Sequence, residues 1–123
     1  MQRRVILARR RQSGYNLARM RYEIVLAPEA MEDLQGLRAN VRAEVQDVLE
    51  QHLRGEPTKT SKSRIKRLQG LSRPQYRLRV GDEIRVFYDV TEDTVEVLAI
   101  VAKSEADNWL ERHGESNEES GSV

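Results

Sequence analysis

The amino-acid sequence predicts an α+β fold: an N-terminal strand, a helical hairpin, a three-strand antiparallel meander that completes a twisted sheet, and a C-terminal helix. Apolar and other residues alternate in one run near residue 24 and in three further runs between residues 75 and 102. This period of two is typical of β-strands. Between these regions, apolar residues recur at helical spacing. The chain has 123 residues and no internal repeat, which is the length of one domain.

The first half of the chain predicts a strand and two helices. Tyr22 to Ala27 has strand-like alternation, and Pro28 then suits the first turn of a helix that extends to about Leu37. Asn40 is a good N-cap for a second helix, which must end before Pro57. Two helices joined by so few residues predict a hairpin.

The second half begins with a polar, basic connector, residues 58–74. Strands are predicted over residues 75–80, 84–90 and 94–102. On the last strand, the period of two places Val95, Val97, Ala99 and Val101 together on one face. A final helix follows, with Ser104 as its expected N-cap and Gly114 just after its end.

The two ends of the chain differ from the middle in composition. Residues 1–19 contain six Arg and no acid, which predicts a flexible basic extension. An Arg-rich targeting peptide and a natural start at Met20 are alternatives, but a secretory signal is not, because the apolar stretch is too short. The folded domain is predicted over residues 20–114. Residues 115–123 are mainly Ser, Glu, Gly and Asn, which predicts a disordered acidic tail.

Composition excludes several classes of site. The absence of Cys excludes disulfides, thiolate metal ligands and a Cys nucleophile. With only two His in the chain, we expect no metal site and no cofactor. No apolar run approaches the ~18 residues that a membrane-spanning helix needs.

Charge is segregated along the chain, although the net charge is only +1. Residues 59–85 contain nine Lys or Arg against Asp82 and Glu83. This pattern predicts a basic face for a polyanion, although solvated surface charges would give the same composition. Within the connector, five cations are predicted to contact a nucleic-acid backbone: Lys59, Lys62, Arg64, Lys66 and Arg67.

Strand register gives the sharpest prediction. A three-residue loop, 81–83, keeps the apolar residues of the first two meander strands on one face, whereas a two-residue loop would mix the faces. This register places Arg79 opposite Arg85, with Arg77 on the same face. Like charges so placed are destabilising, and a guanidinium cluster suits phosphate oxygens. The alternative is that these arginines extend into solvent or pair with acids from elsewhere; Asp89 is the one acid expected nearby.

The same face is predicted to carry Phe87, Leu98 and Ile100. Either the last helix folds over these residues, or they form an exposed apolar patch. An exposed patch of this kind marks a partner site on a small protein.

Three segments, KSRIKRLQG, YRLRVGDEIRVFYDV and VEVLAIVAKSEADNWL, resemble toxins of the RelE/ParE superfamily of bacterial type II toxin–antitoxin modules. The resemblance covers about Tyr22 to Glu111. RelE-like members cut mRNA in the ribosomal A site, whereas ParE-like members inhibit DNA gyrase. The resemblance thus implies a toxin, and its motifs do not separate these two activities.

The resemblance implies catalytic positions for Arg77, Arg79 and Arg85, which match basic residues of RelE-like ribonucleases. Lys103 and Trp109 are the cation and the aromatic nearest to the remaining positions of that pattern. We therefore predict a ribosome-dependent, metal-independent mRNA endoribonuclease in which the 2′-OH attacks the adjacent phosphate. A ParE-like gyrase inhibitor and a degenerate, non-catalytic toxin are the alternatives.

The resemblance also implies a cognate antitoxin as partner, together with mRNA and the ribosome, in the cytoplasm and away from membranes. We expect the antitoxin to cover the arginines and to contact the apolar residues beside them, after the last helix has moved aside. These predicted contact residues are Phe87, Leu98, Ile100 and Trp109.

Overall fold

A computed structural model describes residues 5–6 and 21–116 of the chain. Three helices are present in this part: α1 Pro28–Gln35, α2 Ala39–Leu53 and α3 Lys103–His113. The strands are β1 Val5–Ile6, β2 Glu23–Leu26, β3 Ile65–Arg67, β4 Leu71–Arg73, β5 Tyr76–Val80, β6 Ile84–Val90, β7 Thr94–Ala102 and β8 Glu115–Ser116. The predicted α+β class and the order of its main elements are confirmed.

The main sheet has six strands in the order β1-β2-β7-β6-β5-β3. Strand β2 lies parallel to β7, and the other neighbours are antiparallel. Strand β2, the strand predicted near residue 24, therefore lies beside the last strand of the meander. A second, two-stranded sheet joins β4 to β8. Strands β1, β3, β4 and β8 were not predicted, and the region between α2 and β5 is more ordered than a connector.

Helix α1 begins as its sequence predicts, with Pro28 in the first turn, and it ends at Gln35. The predicted Asn40 cap of α2 is wrong, because that helix begins at Ala39 and its N-cap residue makes no side-chain capping bond. The turn between the helices is held by Arg42 instead. Its Nη1 donates to the carbonyl oxygens of Gln35 at 3.2 Å and Leu37 at 3.1 Å. These backbone carbonyls at and just after the end of α1 thereby gain a hydrogen-bond donor.

The main core lies between α1, α2 and one face of the sheet. The β5–β6 register is confirmed: Val80 pairs with Ile84, and Leu78 pairs with Val86. The period of two then turns the apolar residues of both strands toward the helices. The core residues include Ile24, Leu26, Leu34, Val45, Leu49, Leu53, Leu78, Val86, Tyr88, Val95 and Val97.

A bulge in β7 changes which side chains face the core. Phe87 pairs with Ala99, but the next residue, Tyr88, pairs with Val97, so Leu98 is an extra residue on β7. The alternation reverses there, which brings Ile100 into the main core and Ala99 into the cluster under α3. The predicted faces of Ile100, Ala99 and Val101 are therefore wrong.

Helix α3 covers the other face of the sheet. Phe87, Leu98 and Ala99 are buried against Ala106 and Trp109 of this helix. Its N-cap residue is Ala102, so the predicted Ser104 cap is wrong. Gly114 follows the helix as predicted and donates its N–H to Leu110 O at 2.7 Å. A Cβ at Gly114 would lie 2.7 Å from that oxygen, so the position accepts only glycine without a shift.

Most of the predicted basic extension, residues 1–19, lies outside the described residues, and so does most of the predicted tail, residues 115–123. Within the described part, Val5–Ile6 adds a short antiparallel strand to β2, and Glu115–Ser116 pairs with β4. No helix in this part is long and apolar enough to span a bilayer.

Candidate functional site

Three arginines share one face of the meander: Arg77, Arg79 and Arg85. We call this set the arginine face. Arg79 lies directly opposite Arg85 in the β5–β6 ladder, and Arg77 lies two residues away on β5. The sheet holds three guanidinium groups together because apolar residues at the alternate positions anchor both strands in the core.

Arg85 is the most deeply placed of the three, with 6% of its surface exposed. Its Nη1 donates to the carbonyl oxygens of Ile84 at 2.9 Å, Gly81 at 3.4 Å and Asp82 at 3.5 Å. Burial, followed by the charges of Arg77 and Arg79, lowers the pKa of Arg85. An arginine remains a cation under this influence, because its ordinary pKa exceeds ~12. The site therefore contains a fixed, poorly hydrated positive charge.

Arg79 has an acidic partner that sequence reasoning missed. Its Nη2 forms an ion pair with Asp82 Oδ1 at 2.8 Å, and its Nε donates to Gly81 O at 3.1 Å. The expected neutralising acid, Asp89, bonds instead to Arg73 Nη1 at 2.9 Å and to the N–H of Gln75 at 2.8 Å. Because Arg79 and Asp82 are both well exposed, their pairing contributes less than about 1 kcal/mol, and an anion can displace Asp82.

Arg77 is the arginine most available to a ligand. Within the described residues, its guanidinium makes no hydrogen bond and no ion pair. Lys66 of β3 lies directly opposite it in the β3–β5 ladder, so this connector cation joins the arginine face. The sequence feature that could have predicted this contact is Ile65, a single apolar residue in a polar stretch. Ile65 pairs with Leu78 and so sets the register of β3.

Lys103 lies at the same end of the sheet as Arg79 and Arg85. Ala102 pairs with Ile84, and the backbone N–H of Lys103 donates to Glu83 O at 2.7 Å. Its side chain is exposed. The structure thus brings the four predicted catalytic positions to one face, with Lys103 at its rim.

Neither histidine belongs to the arginine face. His52 lies on α2, where burial and then the charge of Arg64 lower its pKa. His113 lies at the end of α3 with its ring 4.9 Å from that of Trp109. The titratable groups nearest to the arginine face, within the described residues, are instead Lys103 and the turn carboxylates of Asp82 and Glu83.

The predicted antitoxin contacts are buried. Phe87 is fully buried, and Leu98 and Trp109 are 7% and 6% exposed. The rings of Phe87 and Trp109 stack with centroids 5.1 Å apart. The alternative in which the last helix covers the apolar patch is the one observed for Phe87 and Leu98. Ile100 belongs to the main core, so its predicted place in the patch is wrong.

Of the five predicted connector contacts, Lys66 and Arg67 lie on opposite faces of the sheet. Lys66 faces the same side as Arg77, and Arg64 Nη1 donates to Arg79 O at 3.0 Å. Arg67 faces the opposite side, where its guanidinium carbon lies 5.2 Å from the centroid of the Tyr76 ring. The side chain of Lys62 is exposed, and that of Lys59 lies 3.8 Å from Glu56.

A pocket of about 420 Å³ lies between α1, β7 and α3. Its lining combines Trp109 and His113 with Arg73 and three glutamates, Glu29, Glu32 and Glu96. This lining has more acidic than basic side chains, which disfavours a phosphate, and it includes none of the residues of the arginine face. Within the part of the chain that the structure describes, no three His, Asp or Glu side chains could hold a metal ion together.

Comparisons with known proteins give a family and a fold. Residues 24–106 match the family model described as ParE toxin of type II toxin-antitoxin system, parDE. The solved RelB-RelE antitoxin-toxin complex from Methanococcus jannaschii aligns at 20% identity and a TM-score of 0.52, over 68% of this chain and 95% of that chain. A copper-bound mutant toxin from Helicobacter pylori aligns at 20% identity and a TM-score of 0.47, over 70% and 98%. No curated protein matches.

Proposed function

This chain belongs to the family of ParE toxins of type II toxin–antitoxin systems, and we propose that it acts as a ribosome-dependent, metal-independent mRNA endoribonuclease. The observation that carries the proposal is the arginine face, where Arg79 lies directly opposite Arg85 on a rigid sheet. Like charges placed opposite each other destabilise a sheet, and Asp82 pairs only with Arg79, so a bound anion would offset the remaining positive charge. A planar guanidinium matches the geometry of two phosphate oxygens.

The proposed reaction is attack of the 2′-OH on the adjacent phosphorus, with departure of the 5′-oxygen and formation of a cyclic phosphate. Arg77 and Arg85 stabilise the negative charge that develops on the non-bridging oxygens. Arg79 exchanges Asp82 for the phosphate, which frees that carboxylate to accept the 2′-OH proton. Lys103 donates a proton to the leaving oxygen. The site has few groups that could position the RNA, so the ribosome aligns the 2′-OH with the phosphorus.

The experiment is induced expression in a bacterium followed by mapping of mRNA 5′ ends. We expect cuts at fixed codon positions in translated messages, and their loss in the Arg85→Ala variant. Arg38→Ala is a matched control, because Arg38 is exposed and lies outside the arginine face. Growth arrest with intact mRNA would reject the ribonuclease proposal.

Gyrase inhibition is the second candidate, and the ParE family match favours it. It predicts double-strand breaks in the chromosome, and loss of DNA supercoiling when purified protein is added to gyrase. The same induced cultures distinguish the two candidates when DNA and mRNA are both analysed. A degenerate toxin leaves both nucleic acids intact.

We also propose a cognate antitoxin that covers the arginine face. The family membership supports this partner, and the solved relative from Methanococcus jannaschii is an antitoxin-toxin complex. Acidic side chains of the antitoxin would pair with the arginines. Its apolar residues would contact Phe87 and Leu98 only after α3 has left them, because that helix buries both. The proposed substrate, translated mRNA, places this activity in the cytoplasm.

A further inference from the structure

Three planar side chains form a continuous row across the sheet, on the face opposite the arginine face. Tyr88 on β6 pairs with Tyr76 on β5, and Tyr76 pairs with Arg67 on β3. The two tyrosine rings stack with centroids 5.4 Å apart and planes 17° apart. The guanidinium carbon of Arg67 lies 5.2 Å from the Tyr76 centroid. The spacing follows that of the strands, which lie about 4.8 Å apart.

The row is anchored at its inner end. Tyr88 is fully buried, and its hydroxyl donates to Pro57 O at 2.7 Å. Arg67 is held at the outer end, because its Nη1 donates to Gln75 O at 2.8 Å. The guanidinium plane is therefore ordered before any ligand arrives, and a ligand that stacks on it loses little free energy in ordering the side chain.

The row ends at the edge of the sheet. Strand β3 is the last strand on this side, and the Arg67 side chain is exposed. Its guanidinium carbon lies over the Tyr76 ring, and no other aromatic ring contacts this guanidinium within the described residues. A single aromatic ring of a ligand can extend the row by one layer.

We infer that Arg67 is a stacking platform for an unpaired base of single-stranded RNA, a contact separate from the scissile phosphate. Unpaired bases stack on arginine planes as well as on aromatic rings. The inference deepens the proposed function, on which it rests, by adding a base contact to the phosphate contacts. It also changes the predicted role of Arg67, which was a contact to the nucleic-acid backbone.

The surrounding charges favour a nucleic acid over a peptide aromatic ring as the ligand. Lys62 and Lys66 are exposed within five residues of Arg67, and Arg64 adds a third positive charge. A strand whose base stacks on Arg67 can place its phosphates against these cations. From there, Lys66 connects to the arginine face through its pairing with Arg77. One RNA strand can therefore pass around the β3 edge from the platform to the arginine face.

The test measures binding of a short single-stranded RNA that contains the fluorescent base 2-aminopurine, whose emission falls when it stacks. The key variant is Arg67→Lys, which keeps the charge but removes the plane. We expect about tenfold weaker binding and loss of quenching, with the salt dependence unchanged. The matched control is Arg38→Lys, a similarly exposed arginine on another surface, which should keep both signals.

Equal quenching and affinity in the wild type and Arg67→Lys would overturn the inference, and so would a wild type that binds RNA without quenching. Far-UV circular dichroism of each variant confirms that the fold is kept. Mapping of mRNA ends decides the ribonuclease proposal separately. Codon-specific cleavage without Arg67-dependent quenching rejects only the platform, whereas intact mRNA rejects the function.

Discussion

Arg85 has an unusual environment for an arginine, because only 6% of the residue is exposed and another arginine lies opposite it in the sheet. Its hydrogen bonds go to carbonyl oxygens, and two of the three belong to the exposed β5–β6 turn. Water can replace the guanidinium at those two oxygens. The residue therefore contributes more to charge at the site than to the stability of the sheet.

The first prediction is that Arg85→Ala leaves the free energy of unfolding within about 1 kcal/mol of the wild type, because loss of the Arg79 repulsion offsets the lost packing. Urea denaturation measures this quantity. Arg77→Ala is the control, since Arg77 has no ion pair to lose within the described residues. An unfolded Arg85→Ala protein would show that the residue is structural.

Asp33 provides the second prediction, which concerns pH. Its Oδ2 accepts the N–H of Ile100 beside the β7 bulge, at 2.9 Å. Burial raises the pKa of Asp33; the hydrogen bond to Ile100 opposes this shift, and the charges of Glu29 and Glu32 add to it. The folded state thus holds the proton more tightly than the unfolded chain, so stability falls as pH rises through the interval just above the ordinary value of 3.8.

Asp33→Asn should therefore raise the melting temperature at pH 7, because it keeps an acceptor for Ile100 and removes a half-buried charge. The increase should shrink as pH falls toward 3. Thermal denaturation across this range measures the effect, and Asp107→Asn, an exposed acid on α3, is the control. A pH-independent difference would mean that titration of Asp33 is not its cause.

At the scale of elements, α3 is held by a small cluster that is separate from the main core. Trp109 stacks on Phe87, and its Nε1 donates to Glu29 Oε2 at 3.2 Å. Phe87 lies beneath the helix and is fully buried. A Phe87→Glu substitution would therefore destabilise the fold, in addition to removing a predicted contact with the antitoxin.

The third prediction is that Trp109→Ala releases α3 while the main sheet stays folded. Loss of a buried aromatic side chain lowers the free energy of unfolding by about 3 kcal/mol. Here the lost contacts belong to the smaller cluster, which holds α3. Hydrogen exchange should show lost protection in residues 103–113 and retained protection in β5 and β6. Asn108→Ala, at an exposed position on the same helix, should change neither. Global loss of protection would contradict an independent α3 cluster.

The basic region before β5 gives the fourth prediction. Lys62 and Lys66 are exposed and are expected to contact RNA phosphates, whereas Arg64 also bonds to the backbone of β5. The double variant Lys62→Ala/Lys66→Ala should therefore weaken RNA binding and reduce the slope of log affinity against log salt by about 1.4, at ~0.7 for each single-strand contact. An unchanged slope would exclude both contacts.

At the scale of the whole molecule, positive charge and the α3 cluster share one face of the sheet. The arginine face lies on β5 and β6, and the Phe87 cluster continues it across β6 and β7. Because α3 covers only the apolar part, a partner that binds both parts must compete with α3. An antitoxin that binds both parts would therefore displace α3 from Phe87.

The fifth prediction is that the antitoxin changes the environment of Trp109, the only Trp in the chain. With an antitoxin that lacks Trp, emission should shift to longer wavelength as the ring leaves Phe87 and enters water. Added salt should slow association, because the arginines attract the acidic partner. Tight binding with unchanged Trp emission would place the antitoxin elsewhere on the surface.

By itself, the sequence determined the order of the main elements, the β5–β6 register and hence the pairing of Arg79 with Arg85. These features follow from period-two alternation and the length of one loop, which are local properties. Only the tertiary structure decided the bulge at Leu98. Residues 97–101 are all apolar because both faces of β7 are covered, so the sequence contains no polar residue here that would identify the solvent-facing side. It also decided the pairing of β3 with β5, the Asp82 partner of Arg79 and the cover over Phe87, since these depend on rotamers and long-range packing that no local pattern records.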